Sequence, residues 1–126
     1  MRDTIHDWHA YVVARDPAML DALIAEDCVF TSPAVHTPQL GKTITMKYLT
    51  AAMKVLGGEG FRYLGEWRSE RGAVLEFETI VDGMSVNGVD IIGWGEDGRI
   101  TSFKVMARPI KGLMKVIEHM GAELAK

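Results

Sequence analysis

Cysteine is almost absent. Cys28 stands alone among 126 residues, which excludes an internal disulfide and a thiolate metal cluster. An excess of one charge is missing too: acids and bases are interspersed and sum to −3. No basic stripe is available to neutralise phosphates, so nucleic acid is not an expected partner. No apolar run approaches the roughly 20 residues that cross a bilayer, so a membrane is not expected either. The opening MRDTIHDWHA carries Asp3, His6, Asp7 and His9 where a signal peptide would need an apolar core. A protein of the reducing cytoplasm is the expectation.

What remains is the composition of one ordinary globular domain spanning residues 1–126, with 48% hydrophobic and 25% charged residues. A chain of this length buries roughly two-thirds of its unfolded surface, enough for a real core. Residues 3–14 read as a helix, with Thr4 and Asp7 at its start and Ile5, Trp8 and Val12 on one face. Asp16-Pro17 reads as the cap and first turn of a second helix that buries Leu20, Leu23 and Ile24. CVF at 28–30 is a short strand, and SPAVHTPQLG a loop. A third helix is expected from Thr43 to Leu56, stopped by Gly57 and Gly58.

Beyond residue 60 the apolar period changes from helical to two. FRYLGEWRS, AVLEFETIV, SVNGVDIIGW and ITSFKVMAR are strand-like runs joined by short turns, the pattern of antiparallel hairpins. From Pro109, Ile110, Leu113, Met114, Ile117 and Leu124 recur at helical spacing. The expected class is α+β: a curved antiparallel sheet, N-terminal helices on its concave face, and a C-terminal helix.

One residue sits oddly in this pattern. GVDIIGWGEDGRI places Asp90 in the apolar part of a strand. A two-residue turn at Asp97-Gly98 sets Trp94 opposite Thr101, Ile92 opposite Phe103 and Asp90 opposite Val105. Opposed residues share a face. Asp90 then falls with Val86, Ile92, Trp94, Phe103 and Val105 on the side the helices cover; a register shifted by one puts it outside. A buried carboxyl must find donors or take up a proton. Packing alone, through helix amides or a Trp8 or Tyr48 donor, explains it as well as function does.

The element order, with AEDCVFTSP (25–33) and VDIIGWGEDGRI (89–100), resembles the cone-shaped family of nuclear transport factor 2, including SnoaL-like cyclases and steroid delta-isomerases. In the isomerases an aspartic acid at the position of Asp90 stays protonated and donates to a developing enolate oxygen. The resemblance implies that role for Asp90. It also marks two departures: the base, an Asp just before a Pro, is here Ser32, and the first-helix tyrosine is here Trp8. No Asp-Arg-Asp set of the epoxide-hydrolase kind is found. The resemblance further implies a homodimer through the outer sheet face, where Val89, Ile91 and Met106 would otherwise lie bare.

Other candidates accompany Asp90. Ser32 stands at the base position, and His36, four residues on, is the nearby group that titrates near neutral pH. A solvated loop histidine is the plainer reading of His36. Trp8, Phe30, Tyr48, Tyr63, Trp67, Ile92 and Phe103 are the expected pocket lining, suited to a small apolar molecule or to core packing. A three-residue turn at 70–72 groups Phe61, Tyr63 and Trp67 with Leu75 and Phe77, leaving Glu76 and Glu78 outside beside Arg62 and Arg68. A two- or four-residue turn brings the glutamates inward. His6 and His9 share a helix face without a convergent third ligand, and no metal or cofactor is expected. Three functions fit: a small enzyme on an apolar carbonyl or ring compound, a non-catalytic binder, or an interaction module with a vestigial pocket.

Overall fold

A computed structural model describes residues 2–126. The chain runs α1 (Thr4–Ala14), α2 (Pro17–Leu23), β1 (Ile24–Thr31), β2 (Gln39–Leu40), α3 (Lys42–Leu56), β3 (Arg62–Arg68), β4 (Gly72–Val81), β5 (Met84–Trp94), β6 (Ile100–Arg108) and α4 (Ile110–Leu124). The strands form one curved, unclosed sheet in the order β2-β1-β6-β5-β4-β3. It is mixed rather than purely antiparallel, because β1 runs parallel to β6, with Phe30 opposite Phe103. The class is α+β as expected.

Local chemistry explains the helix ends. Asp3, not Thr4, caps α1 by accepting from the His6 amide, while the Thr4 hydroxyl donates to the Gly98 carbonyl at 2.6 Å. Asp16 caps α2 ahead of Pro17. At its far end α3 is tied twice. The Thr79 hydroxyl donates to the Leu56 carbonyl at 2.6 Å, and the Arg15 guanidinium donates to the Met53 and Gly57 carbonyls. The Leu56 and Gly57 carbonyls are ones a helix end leaves without partners, whereas Met53 also accepts from the Gly57 amide.

The β5–β6 register is as read from the sequence where it matters, with Asp90 opposite Val105 and Ile92 opposite Phe103. Its turn differs. Gly95 and Arg99 close a three-residue loop in which Gly98 adopts φ 80°, and Trp94 faces Ile100 rather than Thr101. A bulge between Gly93 and Trp94 then restores the original count. The two one-residue departures cancel before Asp90 is reached.

The β3–β4 turn also differs. Ser69 and Gly72 pair around two residues, Glu70 and Arg71. The glutamates nevertheless stay outside, because β4 takes its facing from ten pairs with β5, Leu75 opposite Asp90 among them. The edge strand β3 absorbs the slip instead. Trp67 pairs with Val74 on the outer face at 59% exposure, while Arg68 moves to the helix side and meets Asp3. A bulge at Leu64 turns Tyr63 back inward, opposite Phe77.

Candidate functional site

Asp90 is 6% exposed, on the concave face of the central strand β5. Its Oδ2 accepts a 2.8 Å hydrogen bond from the Tyr63 hydroxyl. The Tyr63 oxygen in turn accepts from the Trp8 indole Nε1 at 2.9 Å. Three elements therefore build the chain: α1 supplies Trp8, the edge strand β3 supplies Tyr63, and β5 supplies Asp90. Aromatic contacts hold the rings in place, with Trp8 tilted against Phe103 at 4.9 Å and Tyr63 edge-on to Phe61 at 5.1 Å.

Burial pushes the Asp90 carboxyl up to about 7, while the Tyr63 hydrogen bond pulls it down. Burial and the neighbouring carboxylate both raise the Tyr63 phenol, so Tyr63 remains a neutral donor. The hydrogens along this chain can be counted. An indole donates only, and a phenol donates once. With Asp90 ionised, Trp8 donates to Tyr63, Tyr63 donates to Asp90, and every hydrogen is placed. With Asp90 neutral there is one hydrogen more than the chain's two contacts can place. A neutral Asp90 therefore presents a donor seeking an oxygen.

One hollow lies beside this chain and a second adjoins the first. The smaller, about 10 Å3, is bordered by Asp90, Trp8, Phe77, Phe103, Leu56 and Val105 among others. It holds about one water or one ligand oxygen. The larger, about 170 Å3, lies between α3, α4, β6 and the loop after β1, with Phe30, Tyr48, Val116 and Met120 in its wall. Ala52, Leu56 and Val105 border both.

The structure distributes the candidate residues unevenly. Trp8 and Phe103 border the small hollow; Phe30, Tyr48 and Ser32 border the large one. Ser32 accepts from the Ala34 amide at 3.0 Å, which leaves its own hydrogen free to donate. His36 is exposed on the loop and is not brought to Asp90. Trp67 points outward, and Ile92 is sealed in the core at 1% exposure. Trp8 does not reach Asp90 directly; Tyr63 stands between them. His9 pairs with Glu66 at 2.9 Å, and the described residues hold no cluster of three metal-ligating side chains. Cys28 is buried, its thiol pushed up to about 11 by burial, and so is unreactive.

Sequence reasoning did not find the donor to Asp90. The three-residue-turn reading already set Tyr63 inward with Leu75 and Phe77, but nothing local in the sequence shows that its hydroxyl reaches Asp90 two strands away. Nor did it find that α4 roofs the larger hollow through Val116, Ile117, Met120 and Leu124. The apolar spacing of α4 was legible; the surface it covers was not.

Comparison with known proteins agrees with this architecture. The family model of the SnoaL-like domain matches residues 5–103. A steroid delta-isomerase from Pseudomonas aeruginosa is 37% identical, superposes with a TM-score of 0.91, and is matched over 97% of this chain and 89% of its own. An uncharacterised protein of cystatin-like fold from Silicibacter pomeroyi DSS-3 is 30% identical at a TM-score of 0.88, over 97% of this chain and 85% of its own. An NTF2-like protein of unknown function from Mesorhizobium loti shares the fold at 21% identity and a TM-score of 0.72, over 84% of this chain and 88% of its own. No curated protein matches the chain.

Proposed function

The chain belongs to the SnoaL-like domain family, and from that premise we propose that it is a small-molecule pocket protein for an apolar carbonyl or ring compound, with Asp90 as the acid or oxyanion partner. One observation carries the reading. Asp90, buried and already taking the Tyr63 hydroxyl on one oxygen, borders a hollow sized for one oxygen, where a neutral carboxyl would donate its hydrogen. A ligand carbonyl would receive it, and an enolate or phenolate oxygen would receive it more strongly, since charged hydrogen bonds are about twice as strong. The 37% identity to a protein named a steroid delta-isomerase supports carbonyl chemistry of this kind.

The same reading limits the reaction. Ser32 borders the larger hollow where a carboxylate base would be needed, and a serine does not carry a proton between carbons at neutral pH unaided. Polarisation of a bound carbonyl is the role left to Asp90. The alternative is non-catalytic binding in the same cavity, favoured by that missing base. A second copy of this chain is the proposed partner, across the outer face of the sheet. Val74, Val89, Ile91 and Met106 form its apolar centre, with Glu76 and Glu78 on the β4 flank and Lys104 and Arg108 on the β6 flank. A two-fold axis over β5 sets the basic flank of one copy against the acidic flank of the other.

The test uses cyclohex-2-enone as probe. Its carbonyl stretch should move to lower frequency on binding at pH 5.5. In Asp90→Leu the shift should vanish and affinity fall at least tenfold. An unchanged shift and affinity in that variant would sink the carbonyl reading.

A further inference from the structure

We infer that the ligand is a single-ring carbonyl compound and that the Leu56 side chain sets this limit, an inference that rests on the carbonyl reading above. The larger hollow measures about 170 Å3 and its wall is apolar. An apolar cavity of about 150 Å3 takes benzene, so one six-membered ring is the natural occupant. Four fused rings would need several times that space.

The ring's oxygen is assigned to Asp90. The hollow at Asp90, about 10 Å3, is separated from the larger one by Ala52, Leu56 and Val105, which border both. Of these three, Ala52 has no rotatable side chain, and Val105 is β-branched and held opposite Asp90 in the ladder. Leu56 alone has free dihedrals. Its backbone is fixed, because Thr79 donates to its carbonyl at 2.6 Å. Turning the Leu56 side chain therefore joins the two hollows without unwinding α3, placing a ring in one and its oxygen in the other.

Three walls on the Asp90 side are sealed in the core. Trp8, Phe77 and Phe103 are each at most 1% exposed. The roof is held close as well: a Cβ at Gly112 of α4 would come within 2.7 Å of the Ser85 carbonyl. The enclosed part of the joined cavity thus holds one ring plus an oxygen.

The experiment measures dissociation constants for cyclohexanone, 1-decalone and androst-4-ene-3,17-dione, with one, two and four rings. Apolar burial alone would favour the largest ketone. The wild-type protein should instead bind cyclohexanone at least tenfold more tightly than the four-ring ketone. Leu56→Ala should gain at least fivefold for 1-decalone, and the volume-conserving Leu56→Met should keep the wild-type order. A four-ring ketone bound by wild type as tightly as cyclohexanone overturns the inference and leaves the carbonyl reading standing. So does an unchanged order in folded Leu56→Ala. If Leu56→Ala does not fold, the wild-type order decides the size limit. If toluene binds and no ketone does, the size limit stands and the carbonyl reading falls. If neither binds, both fall.

Discussion

The Tyr63 hydroxyl lies 2.8 Å from Asp90 Oδ2, and it joins the edge of the sheet to its centre across a span of 27 residues in sequence. This contact opposes burial in setting the state of the carboxyl. Burial favours the neutral acid and the Tyr63 hydrogen bond favours the ion, and burial is the larger influence. Because Trp8 occupies the phenol oxygen from its far side, Tyr63 is oriented towards Asp90.

Tyr63→Phe should therefore raise the Asp90 pKa above its wild-type value of about 7, since the one influence lowering it is removed. The Trp8 indole also loses its acceptor, and leaving a buried donor unpaired costs about 1–3 kcal/mol. A carbon-13 titration of the Asp90 carboxyl, with urea unfolding alongside, reads both effects. A fall in the pKa would show that Tyr63 is not the group stabilising the ion.

Stability should depend on pH in a definite direction. The folded value of about 7 lies above the ordinary 3.8. Between these values the unfolded chain has released the proton while the folded chain retains it, so raising the pH favours unfolding. The penalty is absent below about pH 4 and complete above about pH 7, and each pH unit climbed between them weakens the fold by about 1.4 kcal/mol. Asp90→Asn removes this contribution. Its urea midpoint relative to wild type should climb steadily between pH 4 and pH 7, and a constant difference would contradict a raised folded pKa.

The sequence reveals most where a strand has two neighbours. β4 and β5 alternate cleanly because each is paired on both sides, and this alternation located Asp90 on the covered face. It holds even though the turn at 95–99 is longer than expected, since the bulge at Gly93 compensates. An edge strand has no such constraint. The shorter turn reversed Trp67 and Arg68, and the bulge at Leu64 turned Tyr63 back inward, where it rather than Trp8 meets Asp90. No local propensity encodes where such a bulge falls. The mixed sheet was hidden for a related reason: only tertiary contact shows that β1 lies beside β6.

The outer face gives a prediction of assembly. Met106 is 50% exposed beside half-buried Val89 and Ile91 at the centre of the sheet. Light scattering at micromolar concentration should report a dimer. Val89→Lys with Met106→Glu should yield a monomer whose fold is kept, because both side chains point away from the core. A monomeric wild type would remove this surface as a dimer interface.

Ser32 allows the missing-base argument to be tested by restoration. It borders the same hollow as Ala52, Leu56 and Val105, with Pro33 immediately after it, so a carboxylate there would face a ring bound in that space. Ser32→Asp supplies a group able to take a proton from the carbon beside a carbonyl and return it two carbons away. Asp90 would meanwhile hold the enolate oxygen. A positioned general base contributes about 10²–10⁴-fold. Conversion of cyclohex-3-enone to cyclohex-2-enone, followed by ultraviolet absorbance, should accelerate at least tenfold over wild type. The gain should disappear in Ser32→Asp combined with Asp90→Leu, since the enolate then loses its donor. A wild-type rate already matching Ser32→Asp would mean that some other group serves as base.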